Sequence, residues 1–360
     1  DMIPHFCFEG EFLSATTCGF GHINDTYAVQ FRKRDGATHR YVLQRVNSYV
    51  FGDIEGLMQN IAAVTAHLRA SVAAAGGNPE REALTLIPTT EDRTFYRTPQ
   101  GEFWRAYVYI EGARTYEVAE SPEQVYAAGR AFGNFLALLA DFPADQLVET
   151  IPGFHHTRRR FDAFVQAVER DARNRAHAVR AEIESLLRRA ADTSVLLDLL
   201  DLGTVPPRVT HNDTKLSNVM IDEETGAGVC VIDLDTIMPG SALYDFGDAV
   251  RYAANPAAED ERDLSKVRLS LAIYDQLVRG FLDSARGFLR PAEVDHLSFA
   301  ARLMTLECGM RFLTDHLQGD VYFKTSRGNH NLDRCRTQLK LLQEMEAKFE
   351  RMEKIVERYR

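Results

Sequence analysis

Residues 209–222 read VTHNDTKLSNVMID, and seven of the eight positions from His211 to Asn218 carry polar side chains between two short apolar runs. The apolar flanks would hold the loop down as strands do. The loop itself presents His211, Asp213, Lys215 and Asn218 in the spacing HxDxKxxN. A single polar stretch of this kind is most simply a hydrogen-bonded turn between strands, so its meaning depends on what accompanies it.

After Asn218 the chain goes on to CVIDLDTIMPG (230–240), in which Val231 and Ile232 can be buried while Asp233, fifteen residues after Asn218, is presented at a strand end. A hard divalent cation prefers oxygen ligands, and the amide oxygen of Asn218 with the carboxylate of Asp233 would make a suitable pair for Mg2+. Asp213 can accept a proton from a substrate hydroxyl, and Lys215 can offset charge on a moving phosphoryl group. The spacing is that of a kinase catalytic loop, so the two stretches together predict phosphoryl transfer from ATP. On a continuing strand Asp235 would share a face with Asp233 and help in the same site. His211 is expected to brace the loop. In SALYDFGDAVRY (241–252), Asp245 is expected to hydrogen-bond backbone and fix that loop.

Upstream, CGFGHINDTY places Gly19 and Gly21 just before a β-rich run, and glycines there would let a hairpin backbone approach phosphate oxygens. Residues 26–46 read as a β-hairpin with its turn at Asp35-Gly36. Its second strand should carry a lysine for the α- and β-phosphates, but YVLQRV offers Gln44 there, and alternation points Arg45 to the opposite face. Leu57, Ile61, Val64, Leu68 and Val72 mark one helix face over 53–75. Further strands are expected at 84–88, 94–98 and 104–112. From Ser121 the pattern is helical, near 122–140, 157–172, 174–201, 263–283, 291–317 and 332–358, interrupted by the two polar motifs. The expected architecture is therefore α+β and bilobal. Residues 1–112 would form a small nucleotide-binding β-rich lobe with one main helix, and residues 113–360 a larger helical lobe, with chemistry between them.

A chain of 360 residues exceeds the usual size of a single core, which also favours two lobes. Its 45% hydrophobic and 26% charged residues supply an ordinary core. The net charge of -10 argues against general affinity for nucleic acid or anionic membrane. Five scattered cysteines without a CxxC pair suggest neither disulfides nor zinc, and fit a reducing cytoplasm. The first residues, DMIPHFCFEGEF, are acidic where a signal peptide would be basic, and no apolar run reaches membrane-spanning length. The partners this predicts are small molecules, with no oligomeric state implied.

These motifs resemble the aminoglycoside phosphotransferase and choline kinase superfamily, in which HxDxxxxN and a following IDxD share the work just described. Longer strings are similar to the N-acetylhexosamine 1-kinase family within it: GHIN followed by TY, YVLQ (41–44), RVTHNDTKL, IDLDTIMPGS (232–241), DFGD (245–248), DLSKV (263–267), ECGMRFL (307–313) and GDVYF (319–323). That family similarly has glutamine in its YVLQ-like strand. The resemblance implies an anomeric kinase for N-acetylglucosamine or N-acetylgalactosamine using ATP and Mg2+. It implies a sugar site of His22, Asp213, Asp233, Arg311 and Tyr322, with Tyr252 beside the ring where phenylalanine is expected. Without it, Arg311 reads as a helix-surface salt bridge. A kinase for choline, homoserine or an aminoglycoside, or a silent binding protein, are the alternatives.

Overall fold

The computed structural model describes residues 2–18 and 23–360. The first part of the chain comprises β1 (Glu11–Thr17), β2 (Asp25–Arg32), β3 (Thr38–Val46), α1 (Ile54–Ala74), the single turn α2 (Pro79–Glu82), β4 (Leu86–Ile87), β5 (Tyr96–Arg97), β6 (Phe103–Val108) and β7 (Ala113–Arg114). Six of these strands form an antiparallel sheet in the order β1-β2-β3-β6-β4, with β5 added to β6. Strand alternation divides it into two faces. Val29, Phe31, Tyr41, Leu43 and Ala106 close a small core of their own on one side. On the other, Val42, Val46 and Tyr107 pack with α1 into the main core, and Gln44 and Arg105 share their strand faces.

Helix α1 starts where the Asp53 side chain accepts from Gly56 N at 2.9 Å, an N-cap that satisfies a free amide. Its expected stripe of Leu57, Ile61, Val64, Leu68 and Val72 is buried throughout. Asn60 lies between these residues, 1% exposed, and reaches into the rest of the protein. Its Nδ2 donates to Val148 O (2.7 Å) and Ile237 O (3.0 Å), and its Oδ1 accepts from Val148 N (2.8 Å). One buried amide therefore ties the helix of the sheet lobe to the segment that follows Asp233.

The second lobe is helical: α3 (Pro122–Leu138), α4 (Thr157–Arg170), α5 (Arg180–Leu187), α6 (Val195–Asp201), α7 (Ala242–Ala253), α8 (Leu271–Ala285), α9 (Pro291–Asp295), α10 (Leu297–Gln318), α11 (His330–Ala347) and α12 (Phe349–Tyr359). Between α6 and α7 lie β8 (Arg208–Thr210), β9 (Val219–Asp222), β10 (Gly228–Val231) and β11 (Met238–Gly240). Strand β8 pairs with β11, while β9 pairs with β10 and β7. Helix α10 is buried along most of its length, between α4, α7 and α11.

Several helices are shorter than their periodicity predicts. The interval 174–201 is broken by a 3-10 turn, Ala190–Ser194, in which the Thr193 hydroxyl donates to Ala190 O at 2.6 Å instead of leaving the ladder undisturbed. Helix α8 begins only after Ser270, whose side chain accepts from Ile273 N. The preceding DLSKV is a turn in which Asp263 accepts from Ser265 N and Oγ. The last expected helix divides at Lys348, although Cys335, Leu339, Leu342, Met345, Met352 and Val356 on its apolar stripe are buried. Among the described residues no helix is long and apolar enough to cross a membrane.

Replacing Asn60 by Ala would strip Ile237 O, which is buried, and Val148 N and O, which are partly buried, of their partner. Each orphaned group costs about 1–3 kcal/mol, so urea denaturation should show a midpoint clearly below that of the parent protein. An unchanged midpoint would show that the two lobes do not depend on this amide.

Candidate active site

The two strand pairings bring the motifs together. Thr210 lies opposite Met238 on β8 and β11, and Val219 lies opposite Val231 on β9 and β10, so residues 211–218 and 232–237 leave the same strand ends. Ile232 N donates to Asn218 O at 2.9 Å, closing the gap between them. Asp245, at the start of α7, accepts from His211 N and Asn212 N, both at 2.8 Å. Thr214 donates to Asp245 O from its hydroxyl (2.5 Å) and to Asp248 Oδ2 from its backbone (3.3 Å). Burial pushes the Asp245 carboxyl up to about 6, against the opposing effects of His211 and these amides.

His211 is fully buried, with Phe132 and Phe135 edge-on to its ring. Its Nδ1 accepts from Asp213 N (3.2 Å), which leaves Nε2 to donate to Ile232 O (2.9 Å). The histidine thus braces one motif against the other, as its place in the sequence suggests. Asn212 holds a left-handed φ of 65°, and its Nδ2 donates to Thr236 O at 2.8 Å. Asp233 is likewise left-handed, at φ 60°. Non-glycine residues kept in this region carry strain that the surroundings must offset, and they gather at functional sites.

Asp213 and Lys215 form an ion pair at 2.8 Å. Burial works to raise the Asp213 carboxyl, but Lys215 and Asn218 outweigh it and hold it below the ordinary range. Asp213 is therefore ionised at neutral pH, the state a proton acceptor requires. Burial works to lower Lys215, and Asp213 instead takes it well above its usual value. Asn218 Nδ2 donates to Asp213 O (2.8 Å) and Oδ2 (3.2 Å), leaving its Oδ1 without a donor among the described residues. The Asp233 carboxylate has no hydrogen-bond or ion-pair partner among them either, and burial, then Asp235 and Asp213, raise it. Two unclaimed oxygen donors, one of them a carboxylate crowded by others, fit the chemistry of a hard divalent cation. No cluster of three or more His, Cys, Asp and Glu suited to a metal occurs among the described residues, so such an ion would rely on this pair with phosphate oxygens and water.

Asp235 differs from expectation. The strand ends at Val231 and, after the left-handed Asp233, the chain turns into a 3-10 segment, Leu234–Thr236, so Asp235 shares no strand face with Asp233 and is buried to 4% exposure. It accepts from Asn24 Nδ2 at 2.6 Å and pairs with Arg105 Nη1 at 2.5 Å. Arg105 lies directly across the ladder from Gln44, whose Oε1 accepts from Arg105 Nε at 3.0 Å and whose Nε2 donates to Thr26 Oγ1. Arg45 points the other way, as alternation predicts, to exposed Asp25 and Glu102. Sequence reading missed Arg105. An isolated arginine within the apolar run WRAYVY was the available signal, but its position beside Gln44 depends on strand pairing.

The remaining candidates gather around α10. Arg311 has no ion-pair partner among the described residues. The acid one turn earlier, Glu307, is committed to His155 Nδ1 and Thr157 Oγ1, both at 2.8 Å. The Arg311 guanidinium lies over Phe154 (5.3 Å), Phe323 (5.5 Å) and Tyr322 (6.0 Å). Tyr322 is well exposed, but its backbone is not free. Buried Asp315 accepts from Val321 N, Tyr322 N, Phe323 N and Asn331 Nδ2, pinning GDVYF to α10 and α11. Asp315 is a further residue that sequence reading missed. Tyr252 is half exposed at the end of α7, with Arg251 over its ring at 4.2 Å, close enough for its phenol to interact electrostatically with Lys215 and Asp213. Gly19, Gly21 and His22 lie outside the described residues. A cavity of about 320 Å³ opens behind the loop against Phe154, His155, Asn212 and Tyr244, and it includes none of Asp213, Lys215, Asn218 or Asp233.

A twisted antiparallel sheet above a helical lobe, with these motifs at the junction, defines an aminoglycoside phosphotransferase-like kinase fold. Residues 14–277 match the family described as phosphotransferase enzymes, and the chain belongs to that family. Among solved structures it is similar to an aminoglycoside phosphotransferase from Alicyclobacillus acidocaldarius (TM-score 0.65, 12% identity, covering 98% of this chain and 94% of that one). It is similar to a choline kinase from Cryptosporidium parvum (TM-score 0.57, 12% identity, 94% and 90% covered). An amicoumacin kinase solved with AMP-PNP, Ca2+ and its substrate is also similar (TM-score 0.56, 13% identity, 94% and 90% covered). At these identities the likeness is one of fold.

Asp245→Ala removes the acceptor of two buried amides at the root of the loop. A lowered melting temperature is expected, together with loss of phosphotransferase turnover that added magnesium does not restore. Full turnover in this variant would show that the loop keeps its shape without Asp245.

Proposed function

We propose that the chain is an N-acetylhexosamine 1-kinase, transferring the γ-phosphoryl group of ATP to the anomeric hydroxyl of N-acetylglucosamine or N-acetylgalactosamine. The observation that carries the acceptor class is Arg311, a guanidinium with no ionic partner among the described residues, framed by Phe154, Phe323 and Tyr322 and adjoining the GDVYF segment that Asp315 pins. An unpaired arginine can donate to sugar hydroxyls or an acetamido carbonyl, and aromatic rings beside it can cover the apolar face of a sugar. The strings IDLDTIMPGS and ECGMRFL, which resemble this family, support the same acceptor.

In this reading Asp213 orients O1 of the sugar and takes its proton as the O1–Pγ bond forms and the bond from Pγ to the β,γ-bridging oxygen breaks, releasing ADP. The anomeric hydroxyl is more acidic than an ordinary alcohol and the transition state is loose, so proton transfer comes late and positioning dominates. Lys215 offsets charge on the transferring group. Asn218 and Asp233 would hold Mg2+, which when bound neutralises the β- and γ-phosphate oxygens. His22, Tyr252 and Tyr322 complete the sugar site, and Gly19, Gly21 and Gln44 belong to the nucleotide side. Closure of the lobes would keep water from taking the phosphoryl group.

A kinase for a cationic acceptor such as choline would present an aromatic cage to the substrate ammonium. Here Phe154, Phe323 and Tyr322 already surround the protein's own Arg311 cation, which disfavours that alternative.

An acceptor panel scored by ADP release should show turnover with N-acetylhexosamines and little with choline, homoserine or aminoglycosides. Phosphorus NMR of the product should show a sugar 1-phosphate; phosphate on any other hydroxyl would overturn the anomeric assignment. Asp213→Ala should lower kcat by about a hundredfold or more with ADP affinity little changed, and near-parental turnover would remove Asp213 as the base.

A further inference from the structure

Kinases related by this fold hold the α- and β-phosphates with a strand lysine that pairs with a glutamate of the main helix of the small lobe. Both members of that pair are absent here. Gln44 occupies the strand position, and the α1 residue that reaches the same space is Met58, whose Sδ lies 3.9 Å from Arg105 Nη1. Arg105 fills the room between them, entering from β6 directly opposite Gln44.

Its surroundings are those of a charge kept for use. Arg105 is 1% exposed, and a single carboxylate, Asp235, pairs with it directly. Asp235 follows Asp233 by two residues in the same turn, so the guanidinium that pairs with it enters beside the second motif. Nε donates to Gln44 Oε1, Nη1 lies in ion-pair contact with Asp235 Oδ1, an oxygen with no hydrogen-bond partner among the described residues, and Nη2 has no hydrogen-bond partner among them either. A buried ion pair is a poor stabilising device, since apolar side chains of similar volume often pack as well or better. Retaining one at the meeting of the sheet and the two polar motifs, with an N–H edge that no described residue takes up, calls for a ligand that completes it. A polyphosphate does so, because guanidinium geometry suits phosphate oxygens.

We propose that Arg105 is the nucleotide-phosphate cation of this protein, replacing the missing strand lysine, and that Asp235 replaces the helix glutamate as its orienting partner. Because Asp235 belongs to the catalytic lobe, and Asn24 of the sheet lobe holds its other oxygen, the phosphate cation is positioned only when the two lobes meet. Gln44 keeps a supporting part, fixing the guanidinium plane through Nε. The proposal rests on the chain being an ATP-dependent kinase and is independent of which acceptor it uses.

The discriminating measurement is calorimetric binding of ADP and of adenosine, both with Mg2+ present. The parent protein should prefer ADP; absence of that preference would overturn the kinase reading itself, together with this proposal. In Arg105→Met the preference should fall by about ten- to a hundredfold, the size of a hydrogen-bonded charge contact, while adenosine affinity stays within about twofold. A structural role would weaken both ligands alike, and that result would overturn the proposal. Adding Gln44→Lys to Arg105→Met returns a cation to the vacant strand position and should recover at least part of the ADP preference. No recovery in a folded double variant would count against an exchange of roles. Should Arg105→Met not fold, Arg105→Lys decides, since a retained ammonium should preserve most of the preference for ADP; parallel loss of both ligands would assign Arg105 to folding alone.

Discussion

Three carboxylates, Asp213, Asp233 and Asp235, are held close enough in one little-solvated cleft to act on one another, and the rest of the site is arranged around that repulsion. Each is accommodated differently. Asp213 is paired with Lys215 and stays ionised, Asp235 is paired with Arg105 from the sheet, and Asp233 has no counterion among the described residues. Concentrated negative charge of this kind is unfavourable in the protein alone and becomes favourable when cations enter. The carboxylate without a counterion among the described residues, Asp233, is the one that a bound cation would relieve.

Holding that cleft requires backbone in unfavourable conformations, and the scaffold explains how they persist. Asn212 and Asp233 are both left-handed, and the Asn212 backbone and side chain, the His211 ring and the Asp245 carboxylate are each bound at two ends. The catalytic loop is thereby linked to α7, and through Thr236 and Ile232 to the second motif. On the acceptor side Asp315 acts in a similar way, gathering four donors so that a surface tyrosine keeps a defined place. In both places a buried acid with no assigned part in the proposed mechanism holds the backbone from which more exposed side chains project.

Legibility in the sequence followed the range of the interaction. Strands β2, β3 and β6 and helix α1 were readable because alternation and the 3.6-residue period are local, and they put Arg45 on the outer face correctly. The breaks at Ala190–Ser194 and Lys348 were not readable, because an amphipathic period continues across a turn when both sides pack on one core. The roles of His211 and Asp245 as braces were foreseeable from charged and polar residues set in apolar runs. Asp235 was misplaced because a strand period was carried on past Val231, where β10 ends, through the left-handed Asp233 and into a 3-10 turn.

By itself the sequence determined the two polar motifs, their order and the two-lobed architecture, because motif spacing and hydrophobic period depend on neighbours a few residues apart. Only the tertiary structure decided which charges meet. Arg105 and Asp235 are 130 residues apart, and nothing in either segment announces the other until β6 lies beside β3 and the chain turns after Asp233. Likewise Arg311 could be read as an ordinary surface cation until Glu307 was found engaged elsewhere and three aromatic rings were found around the guanidinium. A side chain's pairing depends on every acid within reach, and reach is set by the fold.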